Sequence, residues 1–516
     1  ASLFAEAGDR TDDCVELLAY HYSKAVELSH LSAVPQPLTV ETERAITFQI
    51  RAGELASHAG AFEEALIHFQ NAIELAADAQ KLTLYEQLGD SLPRQFKQKI
   101  REVYQRALDL WRALPERPPL TGARLIRKLL MTKLRLPQLF ADPLAQEEAS
   151  ALWQEGVELA EQAGDEYERW RLRVASIFLT GDLLALGVEE MRQNEKVRAL
   201  KQLSIEAADY FEQRQDWEAL SELLDGYAGL QFRCGENSEA MATTLRRLQF
   251  TGLSFNERVD VVSSCIGGAF LSGDYDASIR MMAEALETLR PEEPLEVFAT
   301  TLNAPMAALY LTGRWSETAR FRQALDEIWQ RTKGIEGAGE SLLGSNYMLL
   351  LIALSREDQV GTTALEALLR QLVPEYREKA ALPFVTFYRD GDFSQFEVSK
   401  RGLDIAGFYL MLFSEHDKRP PAELMQQGNF YADDLTLRTS HIAKALLTDD
   451  NEALAVAVDE AEAHQLIVHA AHMRIVLAKR TRDLSQLERA RPVLERLEDR
   501  LFLRKLSEVE KALQAR

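Results

Sequence analysis

The residues His58 to Ala76, HAGAFEEALIHFQNAIELA, set the strongest constraint on what this chain can become. After Gly60 the apolar side chains Phe62, Ala65, Leu66, Phe69, Ala72, Ile73 and Leu75 return at three- and four-residue steps. That is the period of a helix with one buried stripe. Upstream, TERAITFQIRAGELAS places Phe48, Ala52 and Ala56 on one side of a second helix, with Gly53 where a neighbouring backbone can approach closely. Together they form an antiparallel hairpin. A hairpin of about 34 residues cannot hide its own apolar face, so it needs copies of itself as neighbours.

Stacking of this kind explains how 516 residues fold without a single oversized core, because each hairpin touches only the next. The chain is 46 % hydrophobic and 27 % charged, a globular composition. Its formal net charge of -22 argues against a general nucleic-acid-binding surface, since phosphate backbones attract Lys and Arg. Cys14, Cys234 and Cys265 form neither a zinc spacing nor a disulfide framework, which suggests a reducing, cytoplasmic setting. The longest apolar run, YMLLLIAL at Tyr347 to Leu354, has the length of a core helix and falls short of the roughly 20 residues of a membrane span. There is no signal peptide, and a chain that begins at Ala1 reads as a processed or excised piece of something larger.

In chain order, residues 1–40 read as N-terminal helices with an inserted loop, SAVPQPLTVE, whose Pro35 and Pro37 deny backbone donors. Residues 41–114 carry the first repeats. In the second of these, Gly89 precedes Tyr104, Ala107, Leu108 and Leu110, and Pro93 predicts a helix that ends early or kinks. Residues 115–143 gather Pro115, Pro118, Pro119, Pro137 and Pro143 and read as a bend or boundary. The charge there is uneven. Lys97 to Gln138 hold eleven Lys or Arg against three acids, and Asp142 to Glu168 hold nine acids and no Lys or Arg.

Residues 144–516 read as a second array with C-terminal capping helices. Its turn markers fall at Asp216/Trp217, Gly235, Gly273/Tyr275, Gly313/Trp315, Gly391/Phe393, Asp450 and Asp483, each predicted to introduce a helix. Gly235, Gly273 and Gly313 are spaced 38 and 40 residues apart, so these hairpins need longer helices. Strand alternation is absent. The pattern predicts an all-α fold, a right-handed superhelix of antiparallel helix hairpins.

The set Gly53, Gly60, Phe62, Ala65, Phe69 and Ala72 matches the tetratricopeptide consensus position for position, and Gly273, Tyr275, Met282, Ala285 and Leu286 match a second copy. Thr244 and Arg247 after Gly235, and Thr318 and Arg322 after Gly313, depart from that consensus and predict a less regular register. The phrases ELLAYHYSKA, IRAGELASHAGAFEEALIHFQNAIEL and LYEQLGDSL further resemble the segment that follows the winged helix in STAND-class signal-transduction ATPases, including those with adenylate cyclase or LuxR-type output domains. The resemblance implies a sensor arm that binds a protein or peptide partner, or a small-molecule inducer, in a concave groove. It also implies an ATPase module in cis and oligomerisation through the parent protein. No GxxxxGK[ST] occurs, so this chain is expected to hydrolyse no nucleotide and to need no cofactor.

Candidate chemistry is sparse. His464, His469 and His472 fall within an arc of roughly 140° on the predicted helix AHQLIVHAAHMR. A metal would need three inward ligands with supporting carboxylates, and an ordinary helix with histidines at its edge is the better reading. GIEGAGESLLGSN, Gly334 to Asn346, lacks the spacing and preceding strand of a dinucleotide site and reads as an inter-repeat loop. Cys234 has no local histidine and Cys265 sits in an apolar pattern, which speaks against a nucleophile. Repeat arrays bind partners through aromatic and Arg anchors, and Trp170, Arg171, Arg173, Tyr210, Tyr227, Phe232 and Arg233 are the candidates of that type, although most residues in such a set are expected to pack in the core. The basic block with Arg124, Arg127, Lys128, Lys133 and Arg135 reads either as a docking surface or as a helix face neutralised by the acids after Asp142. Two further readings remain, a free-standing scaffold and an enzyme with a divergent site within 382–425, where repeat signals are weakest.

Overall fold

Short turns with one recurring chemistry join consecutive helices along the chain. At six of them a residue in the left-handed region precedes an aspartate that both closes one helix and caps the next: Gly164, Gln215, Gly273, Glu357, Asp449 and Glu498 lead into Asp165, Asp216, Asp274, Asp358, Asp450 and Asp499. The aspartate N–H donates to the carbonyl five residues back, as in Asp216 to Phe211 at 3.0 Å and Asp499 to Leu494 at 2.9 Å, which closes the preceding helix. Its side chain then accepts from the first turn of the next helix, as Asp274 does from Ala277 N–H. One residue therefore ends one helix and caps another, a cap of about 1 kcal/mol each time. The two helices emerge antiparallel.

The computed structural model describes residues 14–30, 39–58, 61–92, 97–135, 145–183, 186–289, 295–333, 339–372, 381–394, 406–422, 424–425 and 433–515. Among these there is no strand, and no helix is long and apolar enough to cross a membrane. The fold is all-α, built from tetratricopeptide-like antiparallel hairpins packed in sequence. The chain divides into two compact units, Ala1–Leu179 with Arg290–Val297, and Thr180–Leu289 with Phe298–Arg516.

The first unit contains α1 (Val15–His30), α2 (Thr39–His58), α3 (Phe62–Leu75), α4 (Asp78–Ser91), α5 (Lys97–Ala113), α6 (Pro119–Leu134), α7 (Gln146–Ala163) and α8 (Glu166–Phe178). Each packs on the next. Gly53 does admit a close neighbour: a Cβ there would stand 2.9 Å from the Phe69 ring of α3. The same device joins α4 to α5, where a Cβ at Gly89 would meet the Tyr104 ring at 2.4 Å. Leu84, Leu88, Ala107, Leu108, Ile126 and Leu129 share the core that these approaches create. The described part of the proline-rich stretch, 115–135, lies inside this unit, with Pro119 opening α6, where its missing N–H costs nothing. Pro35, Pro37, Pro93, Pro137 and Pro143 fall outside the described residues.

The second unit begins with α9 (Val188–Gln193), α10 (Glu195–Gln213), α11 (Trp217–Arg233), α12 (Asn237–Arg246), α13 (Phe255–Leu271) and α14 (Tyr275–Thr288), again packed in order. The helix that carries Thr244 gives way at Arg247 to a 3-10 turn, Arg247–Gln249, so the register does change here. Thr244 and Arg247 are both buried, and Arg247 occupies a core position by reaching Ser221 Oγ at 3.1 Å, Asp225 Oδ1 at 2.7 Å, Glu257 Oε1 at 3.0 Å and Asp260 Oδ2 at 2.5 Å. After Gly313, Thr318 is buried and Arg322 is exposed, because Phe321, Leu325 and Ile328 take the inward stripe.

Beyond it lie α15 (Asn303–Leu311), α16 (Thr318–Thr332), α17 (Leu343–Ser355), α18 (Gln359–Leu372), α19 (Ala381–Asp390), α20 (Ala406–Glu415), α21 (Asp434–Leu447), α22 (Asn451–Ala463), α23 (Ile467–Thr481), α24 (Ser485–Leu497) and α25 (Arg500–Gln514). Here two expectations fail. Gly339–Leu342 is a 3-10 turn leading directly into α17, so the described part of the stretch expected as a loop is helical. Nor does each hairpin touch only its neighbour, because α23 packs on α15 and α20, and α25 packs on α17. Arg356 Nε reaches Leu497 O at 3.3 Å, and Arg504 pairs with Glu357 at 2.9 Å. The cause is composition: Met306–Leu311, Met348–Ser355 and Val468–Ala478 are buried on every side, and a helix without a polar face needs partners all round.

Replacing Arg247 with Ala leaves Glu257 and Asp260 without their buried counter-charge and should cost about 3–5 kcal/mol. Urea unfolding of the variant measures this, and a loss below about 1 kcal/mol would show that Arg247 and its four partners contribute little.

Candidate functional site

The basic block of the first unit is engaged from within. Arg124 Nε lies 2.7 Å from Glu86 Oε1, and Lys128 Nζ lies 2.8 Å from the same oxygen and 2.5 Å from Asp90 Oδ2. Burial pushes the Glu86 carboxyl up, but Lys128 and Arg124 outweigh it and hold the group below the ordinary range. Arg127 is buried and meets Glu168 through Nε at 2.5 Å. Of these acids only Glu168 belongs to the acidic stretch after Asp142; Glu86 and Asp90 come from α4.

The aromatic and Arg anchors expected from the sequence divide between the units. On α8, the Arg173 guanidinium lies 4.3 Å from the centre of the half-buried Trp170 ring, and Arg171 donates to the Tyr167 hydroxyl at 2.9 Å. In the second unit Tyr210 carries Arg214 over its ring at 4.1 Å, and Tyr227 is half-buried. Phe232 is a packing residue, since a Cβ at Gly268 would sit 3.2 Å from its ring. Arg233 tethers α11 by donating to Thr180 Oγ1 at 3.0 Å. Arginine stacked on an aromatic face at a half-exposed edge is the surface type from which partner-binding hot spots are drawn.

The three histidines are placed differently from the sequence reading. A turn at Gln465, with φ of 63°, separates His464 from the other two. His464 ends α22 and lies 3.0 Å from Asp434 Oδ1. His469 and His472 are not at an edge: both are fully buried on α23. His469 Nδ1 stands 2.9 Å from Glu415 Oε1, and His472 lies between two carboxylates, with Nδ1 3.0 Å from Glu415 Oε1 and Nε2 2.8 Å from Asp499 Oδ2. Phe502 stacks on the His472 ring at 3.4 Å, and Lys505 Nζ lies 4.1 Å from the centre of the Phe502 ring. Nearby, the Tyr388 hydroxyl meets Ser355 Oγ at 2.5 Å and the Tyr310 hydroxyl at 3.2 Å.

Charge in this cluster is balanced by proximity. Burial opposes the Glu415 carboxylate, but its contacts with His472 and His469 pull its pKa down to about 2. Burial also opposes the His472 cation, and Glu415 and Asp499 overcome it, raising the pKa to about 9. Lys505 falls to about 8 through burial, against the pull of the same two acids. His416 falls to about 4, again chiefly through burial.

Sequence reasoning passed over Glu415, Asp499, Lys505 and Tyr388. A signal existed: FYLMLFSEH and IVHAAHMRIVLA place Glu and His inside otherwise apolar helices, where polar groups survive only if paired.

Chemically, these groups suit cohesion. Both nitrogens of His472 face carboxylates, so neither is left to act as a general base. Among the described residues no His, Cys, Asp and Glu are grouped so as to hold a metal ion. Cys265 is raised by burial to about 11 and Cys234 is also raised by burial, so neither is the thiolate a nucleophile requires. A surface groove of about 430 Å³ between α14 and α16 has Ile279 and Ala283 in its floor, and its walls are already paired, Arg314 to Asp276 at 2.5 Å and Arg320 to Glu287 at 2.6 Å.

No family model matches the sequence, and neither does any curated protein. A solved structure described as a "Circular tandem repeat protein with novel repeat topology and enhanced subunit contact surfaces" aligns over 97 % of this chain and 96 % of its own, at 17 % identity and a TM-score of 0.17. A score that low carries no argument.

Acid should weaken this region in two steps. His416 is neutral when folded, so its contribution is complete above about 6.5 and is lost as pH falls to about 4; that of Glu415 is complete above about 4.5 and is lost toward about 2. Calorimetry from pH 7 to 3 should therefore show a melting temperature that falls throughout. A constant value across that range would contradict the assignment.

Proposed function

We propose that the chain is a non-catalytic helical-repeat interaction region and that it serves as the sensor arm of a STAND-type regulatory ATPase in the cytoplasm. The observation that supports an interaction role is the spending of interior charge on cohesion, at Arg127, Arg247 and His472, while Arg-on-aromatic pairs stand at the edges of α8 and α10. Stacked hairpins present a long side-chain surface with regular spacing, which suits an extended partner better than a small substrate. The narrower assignment is supported by the phrases ELLAYHYSKA, IRAGELASHAGAFEEALIHFQNAIEL and LYEQLGDSL. In that role the repeats bind a protein, a peptide or an inducer, and their occupancy biases nucleotide-driven assembly by a module joined to them.

The test uses a protein in which this chain is joined to its nucleotide-binding module, captured with and without nucleotide. The expected result is a partner or inducer whose binding depends on nucleotide state and weakens by about tenfold or more in a Trp170→Ala, Arg173→Glu variant, as for a hot-spot pair. An unchanged helical circular dichroism spectrum would exclude misfolding. Binding that ignores nucleotide would favour a free-standing scaffold, and no ligand in either state would overturn the proposal.

A further inference from the structure

His472 stands where the second unit folds back on itself. Glu415 ends α20, Asp499 caps α25, and His472 on α23 lies between them, so one imidazole joins its own helix to two others. A neutral imidazole carries a single N–H. It can satisfy one carboxylate and must turn a lone pair toward the other. Only the imidazolium suits both: Nε2 hydrogen-bonds Asp499 Oδ2 at 2.8 Å, and Nδ1 faces Glu415 Oε1 at 3.0 Å as a charge contact without hydrogen-bond geometry, where a neutral ring would set its lone pair against the carboxylate.

We propose that His472 is a proton-operated clasp: while protonated it holds α23 and α25 against α20 and the helices 303–355, and loss of that proton loosens the closure. The inference does not rest on the sensor reading. It follows from the pairing geometry and from the position of the pair where helices far apart in sequence meet within this unit.

The remaining charges around the ring bear on the direction of the effect. From its own helix His469 faces Glu415, and from α20 and the turn after it come Glu415 and His416. From α25 and its cap come Asp499 and Lys505, the latter also under the influence of Arg504 and Asp390, and from α19 comes Tyr388. Tyr310 of α15 completes the set, its hydroxyl held well above its ordinary range by burial. Because His472 is raised to about 9, its contribution is complete below about 6.5 and is lost as pH climbs through 9. Lys505, lowered to about 8, acts the other way above that value, so the interval from about 6.5 to 8 isolates His472.

Hydrogen exchange of the intact chain at pH 6.5 and 8, corrected for intrinsic chemistry, tests the clasp. Exchange in peptides from 406–415 and 467–481 should rise about tenfold, and peptides from 217–271 should change less than twofold. His472→Gln should open the same peptides at pH 6.5 and remove their pH dependence. Should that variant fail to fold, NMR titration of the His472 ring in the wild type decides: a midpoint above 8 supports the clasp, and one near 6.5 overturns it. Equal exchange at both pH values, or an undiminished pH response in His472→Gln, would also overturn it.

Discussion

A pair of amphipathic helices always carries more apolar surface than the pair can hide, and the architecture of both units follows from that surplus. The antiparallel turn with its left-handed residue and aspartate cap brings two helices together at little cost, but Ala45, Phe48, Phe69 and Ala72 need further neighbours to reach the burial they have. Glycines at 53 and 89 let aromatic rings of the next helix sit against bare backbone, which draws the layers close enough to exclude water. In the first unit each helix in turn meets this need for the one before it.

The second unit meets it differently. Its helices 303–311, 343–355 and 467–481 lack a polar face, so stacking in sequence would leave apolar surface in water. The C-terminal hairpins turn back and cover it. Polar side chains caught in that closure have been paired, with Glu415 serving two imidazoles and Asp499 both capping a helix and holding His472. Each of these groups would be costly alone in such a place, and together they make the closure specific in register as well as stable.

Arginine plays a related part. Arg127, Arg247 and Arg474 are all buried, and each spans neighbouring helices; Arg474 joins Asp459, Glu462 and Gln486 from α22 and α24. A planar guanidinium with several donors links acids on different helices in one fixed geometry, which an aliphatic residue of the same volume cannot do. Such sites tie stability to the identity of a few charged residues scattered through the interior.

The helical class, the hairpin unit and the turn positions at Asp216, Gly273 and Asp450 were legible in the chain alone, because they depend on periods of three or four residues and on backbone preferences at single sites. Arg247 marks a break in the pattern, but its burial was not legible, because its partners lie up to 26 residues away, beyond the reach of any local period. His469 and His472 looked peripheral for the same reason: Glu415 is 54 residues from His469. Local periodicity determined which segments became helices and which face of each turned inward. Where the second unit closes, which charges meet there and which aromatic residues are left at an edge were decided by tertiary packing, since burial and pairing belong to whichever helices end up side by side.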